Sequence, residues 1–394
     1  MIDFTLSESQ KMLQTMAHDF AEKEIRPFIN QWDKEPDPVK ASARAFEVAK
    51  KGMKLGFGKV QVPEKWGGYG GGAIDYCVVF EELAWGDPGI ASAISVSHGC
   101  ALQLAIDGNE EQKKKWLQPY CEDESGEFLL CGSMTEPVGG SEMLCPLPDP
   151  ALGMRDKAII KDGMYVINGS RSVCTNGARA RVCLISLRTD ATKPNWDSIA
   201  DFVIPMNTPG ISVGRAHDLT GFRGAMQNEV HFDNVRVPLD SFVAKTNIDW
   251  GAYLTSGYKQ GIRAAGLARA AYEEALRYAT ERIIWGQRLR DHEYISGLLV
   301  DMKIKIENLR SLCYRMAWAM DNRADSDGFF KLLPMPFIYS AQVVREVTGD
   351  ALNILGFYGA TKESLVEKCC RDALVVGITD GGATLHKYFL AKRL

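Results

Sequence analysis

The chain has 394 residues, 46% hydrophobic and 24% charged, with a formal net charge of −4 and an isoelectric point near 6.0. That length buries a sizeable core in two or three domains or one large α+β unit. Lys and Arg are dispersed, which argues against a nucleic-acid partner, and no stretch is expected to reach the roughly 18 to 20 apolar residues of a membrane span.

The start Met1-Ile-Asp-Phe-Thr-Leu-Ser-Glu8 lacks the pattern of a signal peptide, so a cytoplasmic protein is expected. The ten cysteines lie at irregular positions, only Cys369 and Cys370 being adjacent, and read as reduced core thiols. Among the six histidines there is no His-Glu-x-x-His and no grouping with Cys at ligand spacing, so no metal site is expected.

Ser7 stands three before Gln10 as in a capping box, and Leu13, Met16, Phe20 and Ile25 follow at helical spacing. Pro36-Asp37-Pro38 breaks this helix and a second runs through Phe46 to Met53. The glycine-rich Pro63 to Gly72 has no βαβ unit around it and reads as a turn between helices. Helical patterns resume at Tyr76 to Trp85, stop at Gly86-Asp87-Pro88, and continue over Ile90 to Leu104 and Glu110 to Leu117. Residues 1 to 125 are thus an N-terminal helical domain.

From Gly126 the period shortens to β-like runs at Phe128 to Cys131, Ala158 to Ile160, Tyr165 to Ile167, Val182 to Leu187, Asp201 to Ile204, Ile211 to Val213 and Glu229 to Val237. Such spacing predicts a small sandwich or barrel over residues 126 to 240. Helical periodicity returns from Trp250; Leu267, Ala271, Ala275 and Tyr278 mark one face, and Leu298, Met302, Ile306 and Leu309 another. Residues 241 to 394 therefore form a helical bundle, and its lightly charged helices argue for an oligomer. The class is α+β, in the order helical, β, helical.

Two stretches of the β-domain carry the chemistry. Cys131 to Glu142 reads Cys-Gly-Ser-Met-Thr-Glu-Pro-Val-Gly-Gly-Ser-Glu, and Tyr165 to Gly177 reads Tyr-Val-Ile-Asn-Gly-Ser-Arg-Ser-Val-Cys-Thr-Asn-Gly. Each is a strand running into a polar turn, an arrangement that presents hydroxyls and backbone N–H groups to a flat polar ligand. Together, and in this order, they resemble the flavin-binding middle domain of the acyl-CoA dehydrogenase family, and the helical–β–helical order extends the likeness over the whole chain.

The resemblance implies FAD, an acyl-CoA substrate, an electron-transfer flavoprotein as partner and a homotetramer or dimer. It places Met134, Thr135, Val173 and Thr175 at the flavin and Ser141 near phosphate-bearing parts of the ligands. A hydroxyl donor at the ring is useful because negative charge builds near N1 and O2 when N5 accepts hydride. Arg282-Ile-Ile-Trp-Gly286 resembles an Arg-x-x-Phe-Gly segment whose Arg reaches the cofactor pyrophosphate of a neighbouring subunit. Asn353 and Gly356 fall in a segment similar to the family's Gln-x-x-Gly-Gly-x-Gly near the adenosine, while Glu367, Arg371 and Asp372 read as a structural ion-pair network.

The chain also departs from the family pattern. Where the family reads Ile-Tyr-Glu-Gly-Thr, it has Ile378-Thr379-Asp380-Gly381-Gly382. Asp380 is then the expected base for α-proton abstraction, on an arm shorter by about one methylene, roughly 1.5 Å. The alternative base on the first long C-terminal helix is missing, since Thr255-Ser256-Gly257-Tyr258 holds no carboxylate. Lys259 and Arg263 are candidate replacements for a missing CoA-contacting Arg, with Gly381, Ser92 and Ser95 as further substrate contacts. Asp87 is a second candidate carboxylate that also reads as a helix N-cap.

Val173 stands where the family has Trp, and residues 145 to 151 form a proline-rich loop expected near the substrate entrance. These changes, with the small Ala91, Ser92 and Ser95, point to a cyclic or bulky acyl group. Three readings compete: an acyl-CoA dehydrogenase, a flavoenzyme performing another elimination such as desulfination or 1,4-dehydrogenation, and a non-catalytic CoA-ester-binding protein.

Overall fold

A computed structural model describes residues 5–140, 142–246, 257–322 and 332–392. The longer N-terminal helices are α1 (Glu8–Phe20), α2 (Pro38–Lys54), α3 (Ala73–Gly86) and α4 (Pro88–Asp107). Ser7 and Gln10 form the expected capping box. The Pro-Asp-Pro break is itself a start signal: the Asp37 side chain accepts from the N–H groups of Val39 and Lys40, and Pro38 occupies the first turn, where its missing N–H costs nothing.

The middle region is one eight-stranded sheet built from β1 (Leu129–Thr135), β2 (Lys157–Lys161), β3 (Met164–Thr175), β4 (Ala180–Arg188), β5 (Ile199–Pro205), β6 (Ile211–Ala216), β7 (Gln227–Pro238) and β8 (Phe242–Lys245). Its order is β6-β7-β3-β1-β4-β5-β8, with β2 pairing β3 and β4. Pairing is mostly antiparallel, but β1 runs parallel to β4. Strand β8 pairs with β5, so the sheet continues past the boundary expected at residue 240. Four residues, Phe-Val-Ala-Lys, are too short a run to show a period of their own.

The C-terminal helices are α5 (Gly257–Glu281), α6 (Glu293–Asp321), α7 (Met335–Leu355), α8 (Leu365–Val376) and α9 (Ala383–Ala391). The two helical regions are not separate cores. One hydrophobic cluster holds Phe20, Phe80 and Ile94 from the first together with Ile262, Met302 and Val344 from the second. Helix α5 lies against α3 because Gly266 lets the backbones meet: a Cβ there would stand 2.2 Å from the Glu81 carbonyl oxygen. The buried Glu81 carboxylate accepts from Arg269, from Arg310 Nε at 2.7 Å and from the Tyr314 hydroxyl at 3.2 Å, tying α3, α5 and α6 together.

Helix α4 departs from expectation. It is long and apolar enough by length and composition to cross a membrane, with a mean hydropathy of 1.4, yet 61% of that window is buried inside the fold. It packs between β1 and the helices, and its Ser97 hydroxyl exchanges bonds with the backbone of Leu130.

Candidate active site

Strands β1 and β3 end side by side, with Gly132 opposite Thr175 and Thr135 opposite Val173. Beyond β1 the chain turns back on the buried Glu136, whose carboxylate accepts from the N–H groups of Arg155 and Asp156 and from Arg171. This fold-back brings Gly140 so close that a Cβ would meet Thr135 Oγ1 at 3.2 Å. Met134, Thr135 and Thr175 remain half-buried and Val173 is exposed, so the paired strand ends offer an open polar ledge. The Thr175 hydroxyl accepts from Gln227 Nε2 at 2.7 Å, which leaves its own hydrogen to donate outward. Ser141 lies outside the described residues.

Asn176, next to Thr175, is fully buried and donates to the Ala93 and Leu130 carbonyls at 2.9 and 3.1 Å, fixing α4 against the ledge. Other residues of α4 reach a second polar group across α5. Ser92 Oγ accepts from Arg263 at 3.4 Å, and Ser95 shares a hydrogen bond with the buried Tyr76 hydroxyl at 2.8 Å. The small serines are thus bonded partners of polar groups, and Ala91 is packed into the core.

Asp380 sits in the turn between α8 and α9 with φ +47°, followed by Gly381 and Gly382 at φ +84° and +80°. Left-handed backbone at three successive residues explains the Asp-Gly-Gly sequence, since Asp and Gly tolerate it. The turn closes with Gly382 N–H on the Thr379 carbonyl at 2.8 Å, and the buried His386 ring donates to the Asp380 carbonyl at 2.9 Å. The Asp380 carboxylate remains accessible and accepts from Gln260 Nε2, while the same amide donates to Thr379 Oγ1 at 2.9 Å. The Gln260 carbonyl accepts from Arg263, so an amide relay joins the accessible carboxylate to an inner guanidinium.

Lys259 lies one turn before Arg263 on α5, its ammonium 5.1 Å from the Tyr76 ring centroid. Burial, reinforced by repulsion from Arg263, pushes its pKa down to about 8. Sequence reasoning placed Lys259 and Arg263 at the CoA moiety; the structure puts Arg263 inside, beside Gln260, which holds Asp380. Gln260, Tyr76 and His98 were missed. Their available signal was a polar stripe, Lys259, Gln260 and Arg263, on a helix otherwise rich in Ala and Gly.

Asp87 is not in this group. Its Oδ1 caps α4 through the Ile90 N–H at 2.8 Å, and its Oδ2 meets Lys368 Nζ at 2.8 Å and Trp32 Nε1 at 3.3 Å. Lys368 also pairs with Asp372 at 2.6 Å, and Arg371 pairs with Asp33 and Glu367, which is the ion-pair network expected of this segment. The proline-rich loop is pinned from behind by Arg188, which donates to the Pro150 carbonyl at 2.6 Å. Arg282, Asn353 and Gly356 are exposed, and no partner of the Arg282 side chain is seen among the described residues.

A chain in the order helical, β, helical, with a hydroxyl-bearing ledge on its β-domain and an accessible carboxylate on the turn between α8 and α9, has the make-up of a flavin-dependent oxidoreductase. Residues 7–124, 131–235 and 258–394 match the N-terminal, middle and C-terminal domains of acyl-CoA dehydrogenases, and the chain belongs to that family. It is similar to the probable acyl-CoA dehydrogenase YngJ of Bacillus subtilis, 31% identical with 100% of both chains covered. It is also similar to the caffeyl-CoA reductase-Etf complex subunit CarC of Acetobacterium woodii, at 29% identity over 98% of each chain. The butyryl-CoA dehydrogenase structure from Megasphaera elsdenii superposes with a TM-score of 0.87 at 27% identity, covering 100% of this chain and 99% of that one. The protein is an oxidoreductase acting on CH–CH groups, and FAD is its cofactor. The ledge fits a flavin: Thr175 has a hydrogen to give, Thr135 lies under a glycine that keeps the approach open, and Val173 offers an apolar edge.

Proposed function

We propose that the protein oxidises a CoA thioester to the enoyl-CoA with Asp380 as the proton acceptor. The observation that carries this reading is the setting of Asp380, an accessible carboxylate held on a left-handed turn by Gln260 and His386. The α C–H bond breaks toward Asp380, its electron pair becomes the new double bond, and the β-hydrogen departs with its pair. FAD supplies the hydride acceptor. Thr135 and Thr175 orient the ring and place donors where charge develops.

The acyl group in this reading is compact, cyclic rather than a long straight chain. The base is retracted by about one methylene, roughly 1.5 Å, and Val173 leaves space where a larger ring would stand. An electron-transfer flavoprotein is the electron acceptor, as the name of the CarC relative supports. The working form is a homotetramer, supported by the exposed Trp285 and Phe357, 85% and 89% accessible, near Arg282 and Asn353.

Anaerobic titration of the purified FAD protein tests the reaction, with cyclohexanecarboxyl-CoA and a linear ester of similar carbon number competing in one vessel. Bleaching of the flavin with preference for the ring is expected. A preference for the linear ester of about tenfold, or 1.4 kcal/mol, rejects the cyclic assignment. Binding without bleaching by any ester rejects the reaction.

A further inference from the structure

Next to Asp380 lies a buried group of hydrogen-bond donors whose capacity the described residues do not meet. Arg263, 9% exposed, donates to Gln260 and Ser92, but its Nε is buried without a protein partner. No carboxylate bonds Arg263 directly among the described residues. Its link to Asp380 runs through the neutral amide of Gln260. Lys259 has no hydrogen-bond acceptor among the described residues and rests over the faces of Tyr76 and Tyr258.

His98 is fully buried, its ring tilted against Tyr76 with centroids 5.2 Å apart, and neither ring nitrogen has a partner among the described residues. Burial, together with Lys259 and Arg263, keeps it neutral, with its pKa well below the usual histidine range. Two cations and an imidazole thus gather around Tyr76 and Ser95, and among the described residues no carboxylate lies within ion-pair distance of either cation; Asp380 is joined to Arg263 through the Gln260 amide. A buried cation without an anion is costly, and a donor left unmade loses its hydration for no return.

We infer that this side-chain cluster of α3, α4 and α5 recognises a carboxylate carried by the acyl part of the substrate, so that the substrate is a dicarboxylic acid joined to CoA through one end. The inference rests on the acyl-CoA dehydrogenase reading above and specifies its substrate. The accessible Asp380 stands at the outer end of the amide relay and Arg263 at the inner end. An acyl group whose α-carbon meets Asp380 extends inward to the guanidinium, where a fork of N–H donors matches a carboxylate. Lys259 adds charge, and Tyr76 and Ser95 add hydroxyls. The same carboxylate on the other side of the site would meet Asp380 and be repelled, so the two charges also fix which end of the acid enters first.

The test compares matched thioesters on the FAD-loaded wild-type protein: adipoyl-CoA against hexanoyl-CoA, and a ring-carboxylated cyclohexanecarboxyl-CoA against the unsubstituted ester. The carboxylated member is expected to reduce the flavin with a kcat/KM higher by about tenfold or more in at least one pair. Arg263→Met and Lys259→Met should each shrink that ratio, and Arg263→Lys should recover part of it. If the uncharged esters reduce the flavin as well as or better than the charged ones in both pairs, the inference is overturned while the dehydrogenase reading stands. If no thioester reduces the flavin, both fall. The wild-type ratios decide the matter even where a variant fails to fold.

Discussion

Replacing Asp380 by Asn removes the proposed proton acceptor and very little else. Residue 380 has φ +47°, a conformation Asn adopts readily, whereas Ala would add about 1–2 kcal/mol of backbone strain and confuse the result. The bond from His386 ends on the backbone carbonyl and is untouched by the change. The bond from Gln260 persists, with the Asn carbonyl as acceptor; exchanging a charged acceptor for a neutral one costs about 1 kcal/mol, less at a position open to solvent. Loss of a general base lowers the rate by about 10²–10⁴-fold, or about 3–5 kcal/mol. The expected outcome is full FAD content, CoA-ester binding within about threefold of wild type, and flavin bleaching slowed by about two to four decades. Stopped-flow reduction under anaerobic conditions measures this. A variant that reduces within about threefold of the wild-type rate would show that Asp380 is not the acceptor.

Thr175→Val should leave the fold intact, orphan the Gln227 amide at a cost of about 1–3 kcal/mol, and shift the flavin absorption and its reduction rate. If the exposed Arg282 serves the cofactor of a neighbouring subunit as proposed, Arg282→Ala should lower FAD retention on gel filtration without changing far-ultraviolet dichroism. Lys368→Met leaves Asp87 and Asp372 as buried carboxylates without their shared cation, and urea denaturation should show a loss of about 3–5 kcal/mol. Lys259→Met should raise the melting temperature of the substrate-free protein. The lysine pKa is depressed to about 8 in the fold from 10.5, so its penalty is fully present below pH 8 and gone above 10.5. The gain from Met should therefore shrink across that window, and a gain that grows with pH would contradict the assignment.

The helical, β, helical order was legible because each region keeps its own period over many residues, and so were the starts of α1 and α4, whose capping side chains act within three residues of the backbone they satisfy. The polar ledge was legible for the same reason: Thr135 and Thr175 stand in strand-to-turn segments whose residue types are demanded locally. Tertiary structure alone decided which polar groups meet. Asp87 and Asp380 are both acidic residues at helix-flanking turns, and what separates them is Lys368, which neutralises the first from 281 positions away in the chain, whereas among the described residues the Asp380 carboxylate is bonded by the Gln260 amide and by no cation. The apolar run of α4 likewise carries no record of whether lipid, water or the sheet will cover it; the answer came from Leu130 and Asn176 in β1 and the turn after β3. Local sequence fixes what a residue does to its own backbone, while the balance of charge and solvation at a site is summed over elements that only the packed fold brings within bonding distance.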